Sequence, residues 1–175
     1  PQGILCLVRQ KQYSITEIVK EKGGELPLLL VLDQIQDPGN LGTIVRTAEG
    51  AGVTGIVMSQ DCVDMYNPKV VRSTMGAAYR VPFCYVEDLA EEVKQMKEAG
   101  ICTYAAHLKG KNSYDEEDYR NASAFLIGNE GNGLRDEVAD QAQVYIRIPM
   151  KGQVESLNAA VATAILTFEA ARQRR

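Results

Sequence analysis

Short, purely apolar runs are the feature that most constrains how this chain can fold. Leu28 to Leu32, Gly55 to Ser59 and Ala124 to Gly128 show no regular alternation of apolar and polar residues. Such runs are typical of strands that are buried on both faces in a parallel sheet. Segments with helical spacing separate them. We therefore expect an α/β fold, with a mostly parallel sheet that helices cover on both faces.

Turn and capping residues place the other elements. Ser14 and Glu17 have the spacing of a capping box, and Asn40 is a favourable N-cap for a helix that ends before Gly52. The charged stretch 109–121 is expected to be a solvated loop. Further helices are predicted at 68–73, 88–99, 134–139 and 156–172, and further strands at 3–8, 82–86, 101–106 and 144–148. The apolar face of the last helix is predicted to consist of Leu157, Val161, Ile165 and Phe168.

The composition fits a single globular domain of 175 residues and limits its partners. A formal net charge of −4 argues against a free-standing, nonspecific nucleic-acid binder. No apolar run is long enough to span a bilayer. The chain begins at Pro1 rather than at Met, so we expect that a segment has been removed from its front. A zinc site or disulfide framework is not expected, and reduced thiols in a cytosolic protein fit better, because no C-x-x-C pair occurs among Cys6, Cys62, Cys84 and Cys102.

Polar loops follow two of the predicted strands near the end of the chain. The first contains Asn129 and Glu130, and the second ends in Ser156 and Asn158. In an open α/β sheet, ligands bind in the crevice beyond the carboxyl ends of the strands. These polar side chains are therefore expected to converge on one site.

Familiar nucleotide and nucleophile motifs do not explain these loops. The glycines of residues 128–133 depart from G-x-G-x-x-G, and no G-x-x-x-x-G-K-[ST] sequence exists. Ser156 has no adjacent histidine base, and its position before a helix is also that of an N-cap. His107 is the single histidine, without a predicted partner, and a structural role is expected for it.

Arg46 falls outside the buried stripe of its predicted helix. Gly42 and Gly50 lie four residues before and after it, which leaves room for another backbone or a ligand to approach. The alternative is a solvated arginine that pairs with Glu49.

Three motifs in this sequence resemble those of the SpoU/TrmH family, the S-adenosylmethionine-dependent RNA 2′-O-ribose methyltransferases of the SPOUT class. They are Asn40-x-Gly-x-x-x-Arg46, Ile127-Gly-Asn-Glu-Gly-x-Gly133 and Ile148-Pro-Met-x5-Ser-Leu-Asn158. They occur in the family's order and rough spacing, and the resemblance extends from about Leu28 to the last helix. Hydrophobic pattern carries no information on chain threading. The resemblance, by contrast, implies a deep trefoil knot at the carboxyl end, a homodimer, and a methyl donor bound within the knotted loops.

The resemblance also implies a role for each site residue. Arg46 matches an arginine often described as activating the ribose hydroxyl; since a guanidinium is a poor general base, we expect it to grip a phosphate and stabilise the developing alkoxide. Asn40 is expected to hold Arg46 or the RNA backbone, and Glu130 to orient Arg46 or the ribose. Ser156 and Asn158 would shape the methyl-transfer pocket. S-adenosylmethionine is expected to lie against backbone groups at Ala105, Gly128, Ile148 and Leu157, with Asn129 and Met150 nearby.

Domain division and substrate are expectations of the same kind. Residues 1–13 would form a linker and a first strand, following a missing RNA-binding domain, and residues 14–175 the catalytic domain. We expect a cytoplasmic enzyme that needs no metal or membrane and that methylates structured RNA, ribosomal rather than transfer RNA. The alternatives are a transfer-RNA methyltransferase, a drug-resistance modifier of ribosomal RNA with narrow scope, and a noncatalytic member that binds RNA or assists ribosome assembly.

Overall fold

The computed structural model describes Gly3, Leu7, residues 9–20 and residues 23–175. Apart from Gly3 and Leu7, the strand predicted at 3–8 lies outside the described residues. The remainder contains seven strands, all paired in parallel. In chain order they are β1 (Leu28–Leu32), β2 (Gly55–Ser59), β3 (Phe83–Val86), β4 (Cys102–Ala106), β5 (Asn112–Ser113), β6 (Ser123–Ile127) and β7 (Val144–Arg147).

The strand order β3-β2-β1-β6-β4-β7-β5 places β1 at an inner position. Leu30 of β1 lies between Ile56 of β2 and Phe125 of β6 in the sheet register. Because every pair is parallel, all carboxyl ends meet at one edge. The helices are α1 (Ile15–Ile18), α2 (Pro38–Ala51), α3 (Pro68–Ser73), α4 (Leu89–Glu98), α5 (Asp136–Ala139) and α6 (Ala159–Gln173).

The helices cover both faces of the sheet, as predicted. On one face α2, α3 and α6 pack with Leu30 and Phe125, and on the other α1, α4 and α5 pack with Leu29 and Val31. Most predicted strand and helix bounds are confirmed to within one or two residues, including the capping box of α1. The knot at the carboxyl end stays a prediction.

Two predicted N-caps were wrong by two or three residues. Helix α2 begins at Pro38, with Asp37 as its N-cap, because the Asp37 carboxylate accepts the backbone N–H of Asn40 at 2.8 Å. Helix α6 begins at Ala159 with Asn158 as its N-cap, rather than at Ser156. The side chains of the two predicted caps, Asn40 and Ser156, are therefore not used for capping and can make other contacts.

The predicted apolar face of α6 was also wrong. Val161 and Phe168 are each 48% exposed, whereas the helix buries a set of small and hydroxyl side chains together with one leucine: Ala159, Ala160, Thr163, Leu166, Thr167 and Ala170. The Thr163 and Thr167 hydroxyls donate to carbonyls one turn earlier, at 2.7 and 2.8 Å, so they need no other partner in the core. Close packing of α6 on α2 follows from this slim face.

The stretch 109–121 is more ordered than predicted. It contains β5 and a 3-10 turn at Tyr114–Glu116, and Tyr119 is fully buried. The Tyr119 ring lies 4.9 Å from the rings of both Tyr104 and Phe125. Because the stretch 109–121 is rich in charged residues, its sequence pattern did not indicate that Tyr119 belongs to the core.

Candidate active site

A cleft of about 910 Å³ lies beyond the carboxyl ends of β4, β6 and β7. It begins at the last residues of these strands, and its walls are residues 127–134 and parts of residues 146–157, with α6 behind them. Its size is within the range of small-molecule and cofactor sites. The lining combines apolar side chains with the backbone of two loops.

The first of these loops, residues 128–134, is built by close backbone contact. A side chain at Gly128 would overlap the backbone of Gly133 and Leu134. Asn129 and Gly133 exchange two backbone hydrogen bonds of 3.0 Å, and Gly133 adopts a φ of 72°. Only glycine fits at position 128, so this loop presents backbone directly to the cleft.

The side chain of Asn129 holds the same loop together. Its Nδ2 donates to the Gln34 carbonyl at 2.8 Å, and its Oδ1 accepts from the backbone N–H groups of Gly131 and Asn132 at 2.8 and 3.1 Å. Asn129 lines the cleft as predicted. Its amide, however, is engaged by the protein.

A chain of polar side chains joins the three sequence motifs at the mouth of the cleft. Asn40 Nδ2 donates to Glu130 Oε1 at 2.9 Å, and Asn158 Nδ2 donates to Asn40 Oδ1 at 2.9 Å. The Asp37 backbone N–H also approaches Glu130 Oε1, at 3.4 Å. Asn158 Oδ1 meanwhile accepts from the first turn of α6. Glu130 and Asn158 therefore lie close together, as predicted for the two loops, and Asn40 links them, which was not predicted.

Arg46 does not join this chain. It is exposed, it is outside the cleft lining, and it makes no hydrogen bond or ion pair to the part of the chain that the structure describes. Six residues along an α-helix rotate a side chain by roughly 600°, so Arg46 points about 120° away from Asn40. The alternative pairing with Glu49 was wrong, because Glu49 binds Arg80.

The glycines around Arg46 do admit close neighbours. A side chain at Gly42 would overlap Ser73 of α3, and one at Gly50 would lie 3.8 Å from the Phe168 ring of α6. Arg46 therefore stands between these two contacts on α2.

Of the other predicted residues, Ile148, Met150, Ser156 and Leu157 line the cleft. Ala105 does not, because it is fully buried in the opposite core. Its neighbour Ala106 lines the cleft instead. Successive strand residues point to opposite faces, so the Ala105 side chain faces away from the cleft, and the contact of S-adenosylmethionine with the Ala105 backbone stays a prediction.

Sequence reasoning missed the ion pair between Asp33 and Arg135. Asp33 is fully buried after β1 and accepts the Arg135 backbone N–H at 3.0 Å and its Nη2 at 2.7 Å. Hydrogen bonding to this carboxylate raises the pKa of Arg135 above its ordinary value. The pair ties the end of the first cleft loop to the centre of the sheet. The signal that could have indicated this ion pair is the position of Asp33, a charged residue directly after the apolar strand β1.

The contacts of His107 agree with the structural role expected for it. Its Nδ1 accepts the Lys109 backbone N–H at 3.0 Å, and its ring packs edge-on against Tyr145 at 5.4 Å. His107 also lines the cleft. Among the described residues, no group of three His, Cys, Asp or Glu side chains could hold a metal ion, and none of the helices is long and apolar enough to cross a membrane.

A parallel sheet covered on both faces, with a cleft where polar loops meet at the strand ends, defines an open α/β domain, and solved SpoU methyltransferases share this fold. The model of the SpoU rRNA Methylase family matches residues 27–168. The chain belongs to this family.

Curated relatives and solved structures agree with the assignment. The chain is 37% identical over 164 residues to the 23S rRNA (guanosine-2′-O-)-methyltransferase RlmB of Xylella fastidiosa, covering 94% of this chain and 66% of that protein. It is 33% identical over 159 residues to the 23S rRNA (guanosine(2553)-2′-O)-methyltransferase RlmP of Bacillus subtilis, covering 91% and 64%. The AdoMet-bound rRNA methyltransferase of Sinorhizobium meliloti superposes with a TM-score of 0.84 at 36% identity, covering 93% of this chain and 61% of that one. The chain thus spans just under two thirds of the length of these relatives.

Proposed function

We propose that this chain transfers a methyl group from S-adenosylmethionine to a ribose 2′-hydroxyl of ribosomal RNA. The observation that carries the proposal is the hydrogen-bonded chain of Asn158, Asn40 and Glu130 at the mouth of the 910 Å³ cleft. The names of RlmB and RlmP, and the AdoMet-bound state of the Sinorhizobium protein, support both the reaction and the methyl donor.

The cleft suits a donor that is recognised through backbone groups. Gly128 brings bare backbone to its wall, and the side chains of Ile148, Met150 and Leu157 add apolar surface. These residues would hold S-adenosylmethionine, whose sulfonium supplies an electrophilic methyl group. Asn129 would act indirectly, by fixing the shape of the loop.

Glu130 and Asn40 would position the ribose. Glu130 Oε1 is occupied by Asn40, whereas Oε2 makes no hydrogen bond to the described residues. That oxygen can accept the 2′-hydroxyl proton as a hydrogen bond, which orients the nucleophile for in-line attack. Asn158 fixes the Asn40 amide, and Ser156 lies in the exposed loop beside it.

Arg46 would grip the phosphate beside the target ribose and stabilise the charge that develops on the hydroxyl oxygen. Its position outside the cleft requires a further element to bring it to the RNA. Phe168, 48% exposed, lies over Gly50 one turn from Arg46, and Val161 on the same helix is also 48% exposed. We infer that a second copy of the chain covers this apolar face, and that the homodimer brings Arg46 to RNA bound at a cleft.

Ribosomal RNA and a cytoplasmic location are part of the proposal. Both named relatives act on 23S rRNA. The free thiols of Cys62, Cys84 and Cys102 support a reducing compartment, in which disulfides are rare.

The test is methyl transfer from labelled S-adenosylmethionine to unmethylated 23S rRNA and, separately, to unmodified transfer RNA. We expect label in 23S rRNA at a nucleotide that becomes resistant to alkaline cleavage, because a methylated 2′-oxygen cannot attack the phosphate. Label in transfer RNA alone would show that the substrate is transfer RNA rather than ribosomal RNA. Calorimetry without saturable S-adenosylmethionine binding would contradict the enzyme assignment.

A further inference from the structure

A basic ridge lies on the surface beside Arg46. We define it as Lys69, Arg72, Met75 and Tyr79, on α3 and the turn that follows. Lys69 and Arg72 are exposed neighbours one helical turn apart, and neither makes an ion pair to the described residues. Residues 65–86 contain three cations and no carboxylate, although the whole chain has a net charge of −4.

Two large side chains stand exposed on the same ridge. Met75 is 68% exposed and Tyr79 is 61% exposed. Met75 adopts a φ of 52° and Gly76 a φ of 90°, so a tight turn projects the methionine into solvent. Exposed cations together with an exposed aromatic ring are the combination that binds single-stranded nucleic acid, through phosphate contacts and base stacking.

Contacts between helices place the ridge next to Arg46. On α2, Gly42 lies against Ser73 at the end of α3, and Glu49 binds Arg80 immediately after Tyr79. Arg46 lies between these two positions on α2. The ridge and Arg46 therefore form one continuous surface, which runs along α2 on the side of the sheet that also carries α6.

We propose that the basic ridge binds the segment of the RNA substrate that flanks the target nucleotide. Lys69 and Arg72 contact its phosphates, and Tyr79 stacks on an unpaired base. This inference rests on the proposed function, because it concerns the RNA on which the cleft acts. If Tyr79 stacks on an unpaired base, the preferred target is a locally unpaired RNA segment rather than a continuous duplex.

The experiment measures binding of in vitro-transcribed 23S rRNA at several salt concentrations. The variant Lys69→Gln/Arg72→Gln should bind about tenfold more weakly, and its log–log salt slope should be shallower by about 1.4, as expected for two lost single-strand phosphate contacts. Tyr79→Ala should also weaken binding by about tenfold through lost stacking, with an unchanged salt slope.

The matched control is Lys94→Gln/Lys97→Gln on α4. These lysines have the same spacing, but they lie on the helix that packs on the opposite face of the sheet. The control should retain the affinity and salt slope of the unaltered chain. All variants should retain their affinity for S-adenosylmethionine and their mass in light scattering.

Three results would overturn the inference. The first is RNA binding by the ridge variants that equals that of the control. The second is no RNA binding by the unaltered chain. The third is a fall in oligomer mass in the ridge variants, which would make the ridge a contact between copies of the chain. Failure of the proposed function can be told apart from failure of this inference. In the first case the unaltered chain itself does not bind S-adenosylmethionine or does not transfer methyl groups.

Discussion

The two loops that wall the cleft are held in very different ways. Residues 128–134 are fixed by the Asn129 amide, by backbone packing at Gly128 and by the Asp33–Arg135 ion pair at their end. Among the described residues, no hydrogen bond ties residues 149–157 to the rest of the protein, and residues 151–156 are all exposed. The first loop is preformed, whereas the second has few contacts that would resist movement.

Under the proposed function, the two loops would therefore have different roles in ligand binding. A preformed backbone wall loses little conformational entropy when a ligand binds, and it can set the position of the methyl donor. A loosely held loop can close over the ligand and open again for product release. Asn158 marks the boundary, because it caps α6 and also bonds to Asn40.

The largest effect on the first loop should come from Arg135→Met. The fully buried Asp33 carboxylate would lose its guanidinium partner, and an uncompensated buried charge costs about 3 kcal/mol or more in unfolding free energy. Urea unfolding measures this cost. A loss below about 0.5 kcal/mol would show that the pair does not secure the loop, since that is the range of ordinary surface changes.

Gly128→Ala should destabilise the protein by about 1–3 kcal/mol, because the added methyl group overlaps the backbone of Gly133 and Leu134. It should also abolish detectable S-adenosylmethionine binding in calorimetry. The matched variant in the second loop is Gly152→Ala, where an added Cβ meets no atom within 4 Å. Equal effects of the two substitutions would contradict the contrast between the loops.

Asn158→Ala should cost about 1 kcal/mol through loss of the α6 N-cap. Asn158→Asp keeps the capping oxygen but removes the donor to Asn40, so it should retain stability and lose methyl-transfer rate. Thermal unfolding and initial rates separate the two roles. If Asn158→Asp transferred methyl groups normally, the bond to Asn40 would have no part in the reaction.

The smallest expected effect is a difference between the two loops in their protection by bound ligand, and hydrogen exchange measures it. S-adenosylmethionine should slow exchange in residues 151–156 more than in residues 129–134, which are already hydrogen-bonded. Greater protection of the first loop would reverse the assignment of the two loops.

Local patterns predicted most of the fold, because buried strands and caps have signatures within a few residues. The apolar runs located β1 and β2 to the residue. Hydrophobic spacing failed on α6, where Thr163 and Thr167 are buried by satisfying their hydroxyls within the helix. Hydrophobic spacing also gave no sign that Tyr119 is buried, because this residue lies in a charged stretch.

The candidate site was predicted in part. The shared edge of the strand ends predicted that Glu130 and Asn158 would lie close together, whereas Asn40 and Arg46 were assigned to the site only through the resemblance. The Asp33–Arg135 pair joins residues 102 positions apart, and nothing in the local sequence of either specifies its partner. The separation of Arg46 from the cleft depends on its angle around α2, about 120° from Asn40, and on how α2 packs on the sheet, which the local sequence does not specify.

The most direct test of the account is the activity of Arg46→Ala on unmethylated 23S rRNA, with binding of RNA and of S-adenosylmethionine measured in the same preparation. We predict that kcat falls by about 100-fold or more, as for loss of a group that stabilises developing charge, while S-adenosylmethionine binds normally. Arg46→Lys should recover part of the rate, because it restores the charge without the guanidinium geometry. Full methylation by Arg46→Ala with normal RNA binding would contradict the catalytic role of Arg46.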